Sequence, residues 1–154
     1  MNDRLHRLLH RMAVWCRIDR LVERYHRHAH GHPDAGVLSP RVMLYSKPDI
    51  IWSTGGMLDD ETGVATQRHY GERNVGQAEA ASEIDYAVGC AMLVRTEAIR
   101  KAGLMDSRYF MYYEEAEWCR RIRQAGYKIM YSPPSEVWHK VELGDESRND
   151  SPYY

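Results

Sequence analysis

The sequence lacks most of the features that mark secreted, membrane-spanning or nucleic-acid-binding proteins. Its three cysteines, Cys16, Cys90 and Cys119, are widely spaced without a C-x-x-C pair, which argues against a disulfide framework or a zinc site. No apolar run approaches the ~18 residues of a membrane span, and the N-terminus has no signal-peptide h-region. A net charge of −1 gives no reason to expect nucleic acid. We expect a cytoplasmic protein that is at most peripheral at the inner face of the membrane.

The first 32 residues differ from the rest of the chain in charge and periodicity. Apolar residues recur at helical spacing over residues 3 to 28, opposite a face of Arg and His, which predicts a separate amphipathic helix. This helix either packs on the rest of the domain or binds an anionic membrane surface through residues 4 to 27. The His-rich tract 26–32 that follows is typical of a solvated linker, although alternating His can also bind metal.

Residues 33 to 154 alternate between short apolar segments and helical patterns, which predicts an α/β fold. The predicted strands are 36–46, 49–56, 84–95 and 127–133, and the predicted helices are 96–102, followed by Gly103, and 113–125. Segment 84–95 has the strongest pattern of a buried strand. Gly89 within it indicates a bulge or the close approach of another group.

The helix predicted over residues 113–125 carries one carboxylate on its apolar side. At about 100° per residue, Glu115 falls between Trp118 and Cys119, whereas Glu117 faces outward and pairs with Arg121 four residues later. A buried, unpaired carboxylate is costly, so Glu115 either caps the helix, finds a cation or does chemistry. The helix macrodipole also favours acidic residues in any first turn, and the spacing leaves both interpretations open.

Four motifs occur in a fixed order in the second segment. They read PRVMLYSKPDIIWSTGG, DYAVGCAMLVR, GLMDSRYFMYYEEAEWCRRIRQAGYKIMY and VWHK. Together they resemble the C-terminal, acceptor-side half of family-2 glycosyltransferases, especially the rhamnosyltransferase-like members. The resemblance covers residues 33 to 154. It implies an incomplete GT-A-like α/β fold, with a mixed sheet and flanking helices beside the separate N-terminal amphipathic helix.

The resemblance also implies an activity and a set of site residues. Such enzymes transfer a sugar from a nucleotide-sugar to a saccharide or lipid-linked acceptor hydroxyl with inversion, in cell-envelope polysaccharide biosynthesis, usually with Mg or Mn. Glu115 matches the catalytic base, although the family has Asp there, and Glu114 matches the acidic residue before it. The residues implied to bind substrate are Trp118, Tyr112, Tyr113, Glu117 and Gly89, and the implied metal contact is His139.

The nucleotide-binding half of that family, with its Asp-x-Asp pair, has no counterpart in this sequence. We therefore expect an acceptor-side fragment that is not competent alone and needs a partner chain, or an upstream segment, carrying the nucleotide-binding half. Two alternatives are a non-catalytic glycan-binding module and a peripheral membrane protein that acts through its basic helix. Nucleotide-sugar binding would distinguish the enzyme from both.

Overall fold

A computed structural model describes residues 14–15, 23, 27, 30–109, 112–141 and 143 of the chain. The strands are β1 (Val14–Trp15), β2 (Ala35–Leu44), β3 (Ile51–Ser53), β4 (Gly56–Leu58), β5 (Ala65–Gln67), β6 (Ser82–Ile84), β7 (Leu93–Val94) and β8 (Lys128–His139). The two fully described helices are α1 (Thr96–Ala102) and α2 (Glu114–Gln124). This mixed α/β architecture confirms the predicted class and is compatible with an incomplete GT-A-like fold.

The main sheet is built on one pair of long parallel strands. Strands β2 and β8 run side by side from the level of Val37 and Ile129 to that of Leu44 and His139. Short antiparallel strands flank the pair, with β7 and then β3 along β2, and β6 and then β1 along β8. Strands β4 and β5 form a separate antiparallel hairpin. The hairpin is therefore not a part of the main sheet, and it lies near the start of α2.

Prolines interrupt the pairing of the two central strands. Pro40 lies opposite Ser132, but the next residue, Arg41, lies opposite Glu136, so residues 133–135 bulge out of β8. Proline has no N–H to donate to the ladder, which is why Pro133–Pro134 sits at such a bulge. The bulge keeps every residue of β2 buried and brings Arg41 into the interior.

Helix α2 packs its apolar face onto this sheet. Its buried residues include Trp118, Cys119 and Ile122, which belong to the same core cluster as Val37 and Ile129. Burial of each large apolar side chain contributes roughly 1.5–3 kcal/mol. The helix ends as predicted, with Gly126 following it at a φ of 90°.

Two of the predicted strands are interrupted in the structure. The prediction of one strand over 84–95 is wrong, because β6 ends at Ile84 and β7 begins at Leu93. A turn closed by the Ala91 N–H and the Val88 carbonyl, 3.2 Å apart, separates them. Segment 49–56 is likewise divided between β3 and β4, since Gly55 has a φ of 92°. Both breaks come from backbone turns that hydrophobicity alone does not reveal.

The N-terminal segment departs from prediction where it is described. Val14–Trp15 forms β1 and pairs with Trp138 and His139 of β8, so a continuous helix over residues 3 to 28 is wrong at this point. Residues 23, 27, 30 and 31 are helical and exposed. The rest of residues 1–29, including most of the predicted membrane-binding surface, lies outside the described residues. Within the described part of the chain, no helix is both long and apolar enough to cross a membrane.

Candidate functional site

A cavity of about 110 Å³ lies where the β4–β5 hairpin meets the start of α2. Its lining residues are Ala65, Gln67, Tyr86, Tyr112, Tyr113, Glu115 and Ala116. Three of the seven are tyrosines and one is the carboxylate that the sequence places on the apolar side of the helix. The cavity therefore brings Glu115 together with Tyr112 and Tyr113, but with neither Trp118 nor His139.

Glu115 is half-buried and only partly satisfied. Its Oε1 accepts a hydrogen bond from the Gly89 N–H at 3.4 Å, while its Oε2 is buried without a hydrogen-bond partner among the described residues. Burial raises the pKa of the Glu115 carboxyl, and the negative charge of Glu114 raises it further. An unsatisfied buried acceptor costs about 1–3 kcal/mol. The Glu115 Oε2 is thus an unpaired acceptor on a side chain that lines the cavity.

The backbone that leads into α2 is strained. Tyr112 and Tyr113 both have a φ of 66°, in the left-handed region that bulky residues rarely adopt. Each such residue costs roughly 1–3 kcal/mol and persists only where the surroundings enforce it. The turn places both tyrosines against the cavity and directs the first turn of α2 inward.

The turn between β6 and β7 supplies the hydrogen bond that orients Glu115. A Cβ added to Gly89 would lie 3.5 Å from the Glu115 Cδ, an ordinary contact distance. The close approach predicted at Gly89 is therefore made by the Glu115 side chain. Gly89 itself does not line the cavity, and its predicted contact with substrate stays a prediction.

The hairpin is held over α2 by one glycine, one hydrogen bond and one ion pair. A Cβ on Gly56 would collide with the Tyr86 ring, so only glycine lets the hairpin lie this close. Asp85 accepts the Leu58 N–H at 3.0 Å and pairs with Arg123 of α2 at 3.1 Å. These contacts fix one wall of the cavity relative to the other.

The hairpin also contributes Gln67, which the sequence analysis did not identify. Ala65 and Gln67 line the cavity, while Thr66 between them is exposed, as expected for alternating residues of a strand. The Gln67 Oε1 is buried and has no hydrogen-bond partner among the described residues. The alternation of strand residues after the turn at Gly63 could have indicated that Gln67 points inward. It does not reveal which part of the molecule the strand packs against.

Two thiols lie close enough to Glu115 for its charge to raise their pKa values. Burial raises the pKa of Cys90 and of Cys119 to about 12, and the Glu115 carboxylate adds to both shifts. Thiols with such pKa values stay protonated at neutral pH and are poor nucleophiles. These two thiols are therefore not candidate nucleophiles.

Three other predicted site residues belong to α2 but do not line the cavity. Trp118 is buried and donates its indole N–H to the Gly103 carbonyl at 2.7 Å, which ties α2 to the end of α1. Glu117 pairs with Arg121 at 2.7 Å, which confirms the predicted i, i+4 pair. Glu114 begins α2 with a buried Oε2 that has no partner among the described residues, and its charge acts on Glu115.

His139 lies apart from this cavity, at the end of β8. Its ring meets the Trp52 ring edge-on, with centroids 4.7 Å apart. No group of three or more His, Cys, Asp or Glu residues able to hold a metal occurs among the described residues. The described side chains therefore do not fit a divalent metal, and the metal contact of His139 stays a prediction.

Comparison with known proteins gives partial similarity to glycosyltransferases. The N-acetylglucosaminyl-diphospho-decaprenol L-rhamnosyltransferase of Mycobacterium tuberculosis is 38% identical over 56 residues, which cover 36% of this chain and 18% of that protein. The low-salt glycan biosynthesis hexosyltransferase Agl10 of Haloferax volcanii is 28% identical over 78 residues, which cover 51% and 25%. No protein-family model matches the chain. The chain thus spans a quarter or less of these relatives, and its distant homologues are glycosyltransferases.

Proposed function

We propose that this chain provides the acceptor site of a glycosyltransferase in which Glu115 is the catalytic base. The enzyme would transfer a hexosyl or rhamnosyl group from a nucleotide-sugar to a saccharide or lipid-linked acceptor, in cell-envelope polysaccharide synthesis. One observation carries the proposal: the unpartnered Oε2 of Glu115 lies beside a cavity walled by tyrosines. The similarity to glycosyltransferases supports the same reaction class.

The proposed reaction is a single displacement with inversion. The acceptor hydroxyl gives its proton to the Glu115 Oε2 while its oxygen bonds to the anomeric carbon of the donor sugar. The bond from that carbon to the nucleotide diphosphate breaks, and the leaving oxygen keeps the electron pair. A positioned general base contributes about 10²–10⁴-fold to such a step. Because burial raises the pKa of Glu115, the ionised form is a stronger base than an exposed glutamate.

The tyrosines suit a sugar acceptor. Pyranose rings present apolar C–H faces, which pack against aromatic rings. Tyr112 and Tyr113 come from the strained turn, Tyr86 from the segment after β6, and Ala65 and Gln67 from the hairpin, so three backbone segments shape the pocket. An acceptor held there would place one hydroxyl next to Glu115.

We expect the donor to be bound by a nucleotide-binding half, on a partner chain or in an upstream segment, together with any Mg or Mn ion. The described residues do not fit a metal, so the proposed reaction uses no metal ligand from them. The purified chain alone should then transfer slowly, because stabilisation of the leaving diphosphate is usually a large part of catalysis.

A transfer assay in extracts of cells expressing the full chain tests the proposal. Radiolabelled nucleotide-activated rhamnose and hexoses are supplied, and label in lipid-linked and polysaccharide fractions is counted. Glu115→Gln should lower transfer at least ~100-fold, because it removes the base and keeps the shape of the side chain. The matched change Glu83→Gln, on an exposed residue of β6, should leave transfer unchanged. Transfer retained by Glu115→Gln would refute the proposal.

The same assay has a pH dependence with a defined sign. Glu115 accepts a proton only when ionised, and burial raises its pKa. Transfer should therefore fall as the pH is lowered through that raised pKa, at a higher pH than for an exposed glutamate. Transfer that stays constant as the pH is lowered to the ordinary pKa of an exposed carboxyl would contradict the assignment.

A further inference from the structure

Two buried oxygens without partners belong to side chains that line the same cavity. The Gln67 Oε1 and the Glu115 Oε2 are shielded from solvent and have no hydrogen-bond partner among the described residues, and both side chains line the cavity. They come from different elements, β5 and α2, and are 48 positions apart in the sequence. Buried polar groups in native proteins are nearly always satisfied, so two exceptions in one cavity call for a common explanation.

We propose that Gln67 binds a hydrogen-bond donor of the acceptor sugar, next to the hydroxyl that Glu115 deprotonates, and thereby determines which sugar is accepted. The donor is a second hydroxyl or an acetamido N–H. This inference rests on the proposed function, since it assigns Gln67 to the same acceptor. Neighbouring substituents of one pyranose ring supply two hydrogen-bond donors, one for each of these two acceptors.

The backbone that carries Gln67 is held in place before any ligand arrives. The hairpin is fixed by the packing of Gly56 on Tyr86 and by the contacts of Asp85 with Leu58 and Arg123. A fixed backbone limits the positions that the Gln67 side chain can reach. A site whose backbone is already ordered loses less entropy on binding, which favours discrimination between ligands.

The size of the cavity restricts the ligand to part of one sugar. Its volume of about 110 Å³ is well below the ~300–1,000 Å³ typical of sites for drug-sized ligands. A nucleotide does not fit, but the edge of a single ring with two substituents does. A site built to hydrogen-bond a substrate group rejects analogues without that group, because its own polar atom is then left unpaired. Gln67 is therefore a specificity-determining residue.

A binding cycle on the full chain tests this role without requiring turnover. The variant is Gln67→Met, which keeps the volume and removes the hydrogen bond, and the control is Thr66→Val, on the exposed neighbour in the same strand. The probes are the methyl glycosides of N-acetylglucosamine, rhamnose and galactose, each with derivatives that lack one hydroxyl or the acetamido group. Affinities are measured by NMR titration, and thermal unfolding checks that each variant is folded.

We expect Gln67→Met to weaken binding of the best glycoside about tenfold, the size of one good hydrogen bond. Removing the matching substituent from the sugar should weaken wild-type binding by the same factor and Gln67→Met binding no further. Thr66→Val should bind like the wild type. This pattern assigns the contact to one atom pair.

Equal binding by Gln67→Met and the wild type would overturn the inference, as would equal losses by both proteins with every derivative. Failure of all three glycosides to bind the wild type would also overturn it, leaving water as the occupant of the cavity. These outcomes are separate from the transfer assay. If Glu115→Gln retains transfer, the proposed function fails, whereas failure of the binding cycle alone leaves the assignment of Glu115 standing.

Discussion

Arg41 and Glu115 are both charged side chains largely removed from water, and they differ in what surrounds them. The Arg41 side chain is 8% exposed. It donates to the Tyr131 hydroxyl at 3.2 Å, to the Ala78 carbonyl at 2.9 Å and to a Glu79 carboxylate oxygen at 2.7 Å. Tyr131 in turn donates to the same Ala78 carbonyl at 3.0 Å. Every polar group in this cluster has a partner within the protein.

The cluster around Glu115 has the opposite character. One oxygen of Glu115 and one of Gln67 lack partners among the described residues, and the backbone before α2 is strained at Tyr112 and Tyr113. A satisfied buried charge holds parts of a fold together, here the loop around residue 78 against the sheet. Unsatisfied groups beside strained backbone are instead typical of a site that a ligand completes. The comparison separates a structural cluster from a candidate site.

The largest effect on stability is expected at the satisfied cluster. Arg41→Met should lower the free energy of unfolding by about 3 kcal/mol, because the hydrogen bonds of the buried cation to the Tyr131 hydroxyl and the Ala78 carbonyl are lost. Urea denaturation measures the change. The control is Arg73→Met, whose side chain is 72% exposed and pairs with Asp49 at 3.0 Å, and it should cost no more than about 1 kcal/mol. Similar losses in both variants would show that the Arg41 network contributes little.

A smaller effect of opposite sign is expected at the candidate site. The pKa of Glu115 is raised in the folded state by burial, so folding favours its protonated form. The resulting stabilisation is complete below the ordinary carboxyl pKa and is lost as the pH rises through the raised folded pKa. Gln mimics the protonated form, so Glu115→Gln should be more stable than the wild type at neutral pH, on the order of 1 kcal/mol.

Urea denaturation at about pH 4 and about pH 8 tests this sign, since the two proteins should differ at the higher pH and converge at the lower. A wild type that is the more stable protein at the higher pH would mean that the Glu115 carboxylate has a stabilising partner. That result would remove the contrast with Arg41.

The smallest effect is expected at Gly89. An added Cβ there lies 3.5 Å from the Glu115 Cδ, and the residue is outside the left-handed region, so Gly89→Ala should change stability by less than about 0.5 kcal/mol. Gly56→Ala is the contrasting control. Its Cβ would collide with the Tyr86 ring, and overpacking of this kind costs about 1–3 kcal/mol. Thermal unfolding measures the stability of the two variants. A larger loss of stability for Gly89→Ala than for Gly56→Ala would contradict the conclusion that Gly89 has room for a Cβ and Gly56 does not.

Much of the local structure follows from the sequence. Helical spacing predicts α2 within one residue at its start, its glycine-ended C-terminus and the Glu117–Arg121 pair. The same spacing puts Glu115 on the inward side, where the structure has it half-buried. These features depend on residues within a few positions of one another, so the rotation per residue decides them. The role of Glu115 as a base stays a prediction that an activity assay must test.

The composition of the cavity depends instead on how distant segments pack. The resemblance to glycosyltransferases implies Glu115, Trp118 and His139 as residues of one site. In the structure Trp118 donates to the Gly103 carbonyl, the His139 ring meets the Trp52 ring edge-on, and Gln67 lines the cavity with Glu115. The position of Gln67 follows from the close packing of Gly56 on Tyr86 and from the pairing of β4 with β5. Contacts between residues far apart in the chain are chosen by packing of the whole core, which no local periodicity encodes.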